Sequence, residues 1–272
     1  MQQRAIMGTA IALALLLLTG LGIAIVLAPT PQYAANELDP PTAPTWGRPA
    51  EPPVRATVAA RPDIAGLVDA DWLAATAERT GIPERALASY AGAAISKAEH
   101  MPSCGLAWNT LAAIGFAESR HGTFGGSNVG EDGTVTPPIF GVSLAGGATE
   151  HIPDSDGGVI DGDPEFDRAV GPMQLIPQTW RNWHGEGSGD GVEDPQNLDD
   201  AVTSTAAYLC YASGDMASEA GWRSGIAAFN SAESYLKVLM APSGSRMLAT
   251  RPSAPRLALC SCCALILLPP AS

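Results

Sequence analysis

Leu106-Ala107-Trp108-Asn109-Thr110-Leu111-Ala112-Ala113-Ile114-Gly115-Phe116-Ala117-Glu118-Ser119 decides how the rest of the chain is read. No charged side chain occurs between His100 and Glu118. Leu106, Trp108, Leu111, Ile114 and Phe116 spread around a helix rather than along one stripe. A helix that is apolar all round is buried on most sides. The pattern therefore predicts a core helix over Gly105–Ser119, ended by Gly122, with Glu118 on its last turn. Desolvation and the negative end of the helix dipole both disfavour the carboxylate anion at such a place. A carboxyl held protonated near neutral pH can serve as a general acid on a glycosidic oxygen. The plainer alternative at this point is a helix-end Glu paired with Arg120 or another cation.

Outward from this helix, most of the chain reads as helical. Asp69–Arg79 has helical composition, and Pro83 opens a second helix reaching about Glu99. Helical patterns resume at Pro177–Trp183, Asn197–Ala212, Ser218–Ala228 and Ala232–Met240. Between them, Gly122 to Arg168 is rich in Gly, Pro and Asp and poor in core residues. Long loops inside compact domains are usually functional or disordered. No alternating strand series of useful length is present, so the class is all-α with one large loop insertion, spanning residues 63–241.

The flanks differ in kind. Arg4 precedes an apolar run from Ile6 to Ala28, close to the roughly 20 residues that span a bilayer and longer than a usual cleaved leader. Residues 1–28 are thus a signal-anchor or a signal peptide, and either exports the remainder of the chain to the cell envelope, membrane-anchored or secreted. Residues 29–62 are rich in Pro and Ala, too poor in apolar side chains to offset chain entropy, and read as a semi-extended spacer. After Ala241 the chain reads as a disordered tail over 242–272, with Cys260, Cys262 and Cys263 lacking the His or acidic neighbours of a metal site. Of the 5 cysteines, only Cys104 and Cys210 fall in the folded part, which makes their pairing the economical expectation in an exported protein. Two buried free thiols are the alternative. With 15 Lys+Arg against 28 Asp+Glu, the net charge of −13 repels phosphate backbones and excludes nucleic acid as a partner.

Three segments occur in a set order: Ala117-Glu118-Ser119-Arg120-His121-Gly122, then Ala169-Val170-Gly171-Pro172-Met173-Gln174-Leu175-Ile176-Pro177-Gln178-Thr179-Trp180, then Ala228-Phe229-Asn230-Ser231-Ala232-Glu233-Ser234-Tyr235. The series resembles the lytic murein transglycosylases, in particular their membrane-bound type B group from actinobacteria, over roughly Asp69 to Met240. The resemblance implies a lysozyme-like helical fold and cleavage of the β-1,4 bond between N-acetylmuramic acid and N-acetylglucosamine in peptidoglycan. It implies a single Glu, here Glu118, acting as acid and then base, with a 1,6-anhydro product and no cofactor. No second carboxylate is then needed, unlike in ordinary glycosidases; Asp167 is the one other acid worth watching. Matching positions make Ser119, Gly171, Met173, Gln174, Asn230 and Tyr235 the substrate-binding set. Each has a structural alternative: Met173 and Tyr235 as core, Asn230 as a helix cap. Phe229 stands where the family commonly has a Tyr whose hydroxyl bonds the catalytic carboxyl, which allows for an impaired, murein-binding protein; a hydrolysing muramidase is the other alternative.

Glu186 to Asn197 approximates a structural calcium loop. Side-chain oxygens would come from Glu186, Ser188, Asp190 and Asp194 and a carbonyl from Val192, with Gly191 at the turn. Asn197 replaces the closing Glu, and a solvated acidic turn is the alternative. Asp154-Ser155-Asp156-Gly157-Gly158 lacks the turn glycine at the required place and reads as part of the long loop.

Overall fold

The computed structural model describes residues 49–240; the apolar run, most of the spacer and the cysteine-containing tail lie outside the described residues. Among the described residues there are seven α-helices and four very short strands. The helices are α1 (Ala70–Thr80), α2 (Glu84–His100), α3 (Trp108–Ser119), α4 (Pro177–Trp183), α5 (Leu198–Ser213), α6 (Glu219–Phe229) and α7 (Glu233–Met240). The molecule is therefore mainly helical, as its sequence predicts. No helix among the described residues is long and apolar enough to cross a membrane.

Local caps explain why the boundaries fall where they do. Asp69 accepts from Trp72 N–H at 3.0 Å to start α1, and Gly81 ends it at φ 70°. Asn197 accepts from Asp199 N–H at 2.9 Å ahead of α5, and Ser218 accepts from Gly221 N–H at 3.2 Å ahead of α6. A short polar side chain satisfies an orphan amide of the first turn in each case.

Helix α2 is the centre of the packing. Its ten residues from Ala86 to Ile95 are all buried. It packs against α1, α3, α5 and the 3₁₀ turn at Ile64–Leu67. Gly92 allows that turn its approach, since a Cβ there would lie 1.9 Å from the Ile64 carbonyl oxygen. Helix α5 packs on α6, and α3 packs on α7. Cys104, just ahead of α3, is joined to Cys210 near the end of α5, as expected, with Cα atoms 5.3 Å apart and a separation of 106 residues. Closing a loop of that size removes roughly 5 kcal/mol of unfolded-state entropy.

Two expectations need correction. First, the spacer does not run free to residue 62. Ala50 N–H donates to Asn109 Oδ1 at 3.0 Å, Trp108 Nε1–H to the Glu51 carbonyl at 3.0 Å, and Asp69 N–H to the Val54 carbonyl at 2.9 Å. A Pro-rich stretch cannot build structure of its own, yet its backbone can still pair with a neighbouring surface. Second, the long insertion contains sheet. β1 (Asn128–Val129) pairs with β2 (Val135–Thr136), and β3 (Phe140–Ser143) pairs with β4 (Arg168–Val170), both antiparallel. Strands of two to four residues leave no readable alternation.

Candidate active site

Glu118 lies on the last turn of α3 and is 5% exposed. The helix surrounding it is buried as its composition predicts, with Leu111 and Ile114 at 0%. Arg120 follows in a left-handed conformation, and its guanidinium carbon stands 5.9 Å from the centre of the Phe116 ring.

Ser119 joins the first motif to the second. Its hydroxyl donates to the Pro172 carbonyl at 2.6 Å and accepts from Gly122 N–H at 2.8 Å. Both bonds are buried and together tie the end of α3 to the Gly171-Pro172-Met173-Gln174 turn. Ser119 is 1% exposed, so its hydroxyl works as a brace rather than as the substrate ligand expected from its position.

The second motif is shaped by backbone demands. Gly171 has φ 74°, and a Cβ there would lie 1.8 Å from the Pro195 carbonyl oxygen. The close neighbour that requires glycine is thus the chain itself, not a sugar. Gly171 N–H donates to the Ile139 carbonyl at 2.9 Å, joining this turn to the start of β3. Gln174 is also left-handed, at φ 48°, and donates from Nε2 to the Gly171 carbonyl at 2.9 Å. Its amide oxygen faces Gly141, where a Cβ would be 3.0 Å away. Met173 is 0% exposed and part of the main apolar core, which favours its core alternative over a place on the cleft wall.

The third motif lies at the junction of α6 and α7. Asn230 accepts from Ala232 N–H at 3.0 Å, the turn-forming role of a short amide side chain. Tyr235 is 3% exposed, and its ring stacks on Phe229 at 6.3 Å between centroids. Because α3 packs on α7, the helix bearing Tyr235 lies beside the helix bearing Glu118. The first two motifs are brought together by a named bond, and the third is brought alongside by helix packing.

Acidic residues elsewhere behave differently from expectation. The Glu186–Asn197 loop is organised around Asp200, a fully buried carboxylate that accepts from the amides of Gly187 (2.7 Å), Ser188 (2.9 Å) and Asp194 (3.0 Å). Burial raises the Asp200 pKa above the ordinary carboxylate value. Glu186 accepts from Ser188 Oγ at 3.0 Å and Asp190 N–H at 3.2 Å, Asp190 from Val192 N–H at 2.7 Å, and Asp194 from Gln196 N–H at 2.8 Å. Val192 is 61% exposed. Glu186, Asp190 and Asp194 each accept amides of their own loop, and among the described residues their oxygens are not gathered within 4.8 Å of one another. Among the described residues, the group of three carboxylates whose oxygens lie within 4.8 Å of one another is Asp154, Asp156 and Asp167. Asp167, at 0% exposure, accepts from Ser155 N–H and Oγ, each at 2.8 Å. Burial foremost, with Asp161 and Asp156 nearby, raises its pKa.

Sequence reading assigned no role to Asp200, Tyr90 or His121. Asp200 sits inside a predicted helix, where an acid reads as a solvated face. His121 was visible in the first motif, but only its buried contacts distinguish it. No protein family, curated protein or solved structure matches this chain significantly.

Proposed function

We propose that this chain is a peptidoglycan lytic transglycosylase, with a lysozyme-like helical domain exported to the cell envelope and held there or released according to the fate of residues 1–28. The observation that carries the reading is the junction of two motifs: Glu118, only 5% exposed at the end of an apolar helix, tied through Ser119 to the Pro172 turn. Such a carboxyl is withdrawn from water and fixed relative to a second loop, which is what an acid/base group acting on a bound polymer needs.

In this reading Glu118 first gives its proton to the glycosidic oxygen as the bond to the anomeric carbon of N-acetylmuramic acid breaks. The resulting carboxylate then takes the proton of that sugar's own 6-hydroxyl, whose oxygen bonds to the same anomeric carbon. One carboxyl is returned to its starting state, no water is consumed, and no cofactor is required. In this reading Gln174 and Asn230, now bonded within their own turns, would turn their amides to the glycan when it binds. Phe229, 8% exposed and lacking a hydroxyl, favours a second reading in which murein is bound and little is cleaved.

Mass spectrometry of purified murein digested with wild type and Glu118→Gln tests both. Anhydro-muropeptides from wild type and none from Glu118→Gln are expected, with sacculus binding retained in the variant. Products with reducing ends would replace the lyase by a muramidase. Binding without release by wild type would leave the second reading.

A further inference from the structure

Helix α3 carries a glycine in its interior, Gly115, where alanine would be about 1 kcal/mol more favourable for the helix. A Cβ at that position would lie 2.1 Å from the Tyr90 hydroxyl oxygen. The missing side chain is a notch, and the phenol of Tyr90, from α2, fills it. Inside, the Tyr90 hydroxyl lies 3.1 Å from Nδ1 of His121.

His121 comes three residues after Glu118, in a strained turn. Arg120 and His121 both have left-handed backbones, with φ 53° and 63°. Each such non-glycine residue costs roughly 1–2 kcal/mol and persists only where its surroundings hold it. The same notch supplies the restraint. The Gly115 carbonyl accepts from His121 N–H at 2.9 Å and lies 3.3 Å from the Ser119 hydroxyl, while the Phe116 carbonyl accepts from Arg120 N–H at 3.0 Å. The His121 imidazole is 9% exposed, between the Tyr90 ring at 5.7 Å and the Phe116 ring at 5.6 Å. Burial lowers its pKa to about 4 and raises that of Tyr90. Near neutral pH the imidazole is uncharged and the phenol keeps its proton, so the phenol can donate to Nδ1.

We propose that Tyr90 and His121, seated in the Gly115 notch, are positioning residues that lock the turn behind Glu118 and thereby aim its carboxyl. This rests on the reading of Glu118 as the acid/base group. Neither residue is asked to touch substrate. The strain in the turn is the means: two left-handed residues in succession persist only where their surroundings hold them, and the Tyr90–His121 bond is one of the contacts that hold them.

The test is a double-mutant cycle on the full chain, with Tyr90→Phe, His121→Asn and the double variant assayed for kcat and KM on purified murein. Asparagine tolerates the left-handed backbone, so His121→Asn removes the ring without breaking the turn. Near-UV circular dichroism confirms folding at the assay temperature. Each single variant should lose kcat roughly tenfold or more, with KM unchanged. The double variant should lose no more than the worse single one, because both remove the same clamp. Single-variant kcat within twofold of wild type overturns the proposal, as do losses that multiply in the double variant or that are matched by a rise in KM. Glu118→Gln runs alongside: release that survives this substitution overturns the acid/base reading itself. That outcome is separate from a dead Glu118→Gln accompanied by an unaffected Tyr90→Phe.

Discussion

Helix α2 and the insertion between Gly122 and Arg168 keep their backbones ordered by opposite means. In α2, ten successive buried residues satisfy their backbone through the helix's own ladder, and order comes mainly from burial of small and apolar side chains in the core. The insertion has few apolar side chains to bury. Beside its short strand pairs, several of its amides are instead satisfied by aspartates: Asp154 serves Asp156, Gly157 and Gly158, while Asp161 serves Asp163 at 3.0 Å and Arg168 at 2.5 Å. Asp163 in turn serves Glu165 and Phe166. Carboxylates that read as solvated charge in sequence are the internal scaffold of this loop. Order without a hydrophobic core is local, so it should fail locally.

The largest effect is expected on the helical side. Leu87→Ala, at a residue with 0% exposure, should lower global stability by about 2–5 kcal/mol, visible as a lower urea midpoint with an unchanged m-value. A midpoint equal to that of wild type would mean that α2 is not the centre of the cooperative unit.

A pH effect comes next, at the boundary between the two regions. His121 titrates at about 4 when folded, against 6.5 for the free side chain. The unfolded chain therefore binds more protons between these values, and stability falls as pH drops from about 6.5 towards 4. The loss amounts to on the order of 3 kcal/mol. His121→Asn should flatten this part of the stability curve in urea titrations at successive pH values. A slope equal to wild type would place the acid sensitivity elsewhere.

Smaller still, and confined to the insertion, is the effect of Asp161→Ala. Removing a 4% exposed acceptor of two amides should cost about 1–3 kcal/mol of local stability. Amide exchange should accelerate across Ile152–Arg168 while α2 and α5 keep their protection. Acceleration throughout the molecule would erase the distinction between the two regions. The Lys237–Glu233 pair on α7, exposed on both sides, marks the floor: Lys237→Ala should shift the urea midpoint barely at all.

Much of the helical part was legible because its determinants are close in sequence. Asp69, Asn197 and Ser218 announce the starts of α1, α5 and α6 through bonds reaching two or three residues, and Gly81 and Gly214 mark ends. The burial of Glu118 also followed from its own helix. The site was less legible. Ser119 reads as a substrate ligand until Pro172, 53 residues on, claims its hydroxyl. Gly171 reads as space for a sugar until the Pro195 carbonyl fills it.

The sequence by itself determined roughly where the helices lie and that the helix ending in Glu118 would be buried, and it made the pairing of Cys104 with Cys210 the economical expectation that the structure then bore out. Those properties depend on a repeat of 3.6 residues, on caps within one turn, or on composition. Only the tertiary structure decided that Asp154 and Asp156 converge with Asp167, that Asp200 organises the Glu186–Asn197 loop, and that residues 49–62 dock on the domain. It alone decided, too, that Tyr90 enters a notch behind the candidate acid. Each of these is a contact that no local periodicity announces, fixed by helix packing in the case of Tyr90 and by the path of the loops in the others.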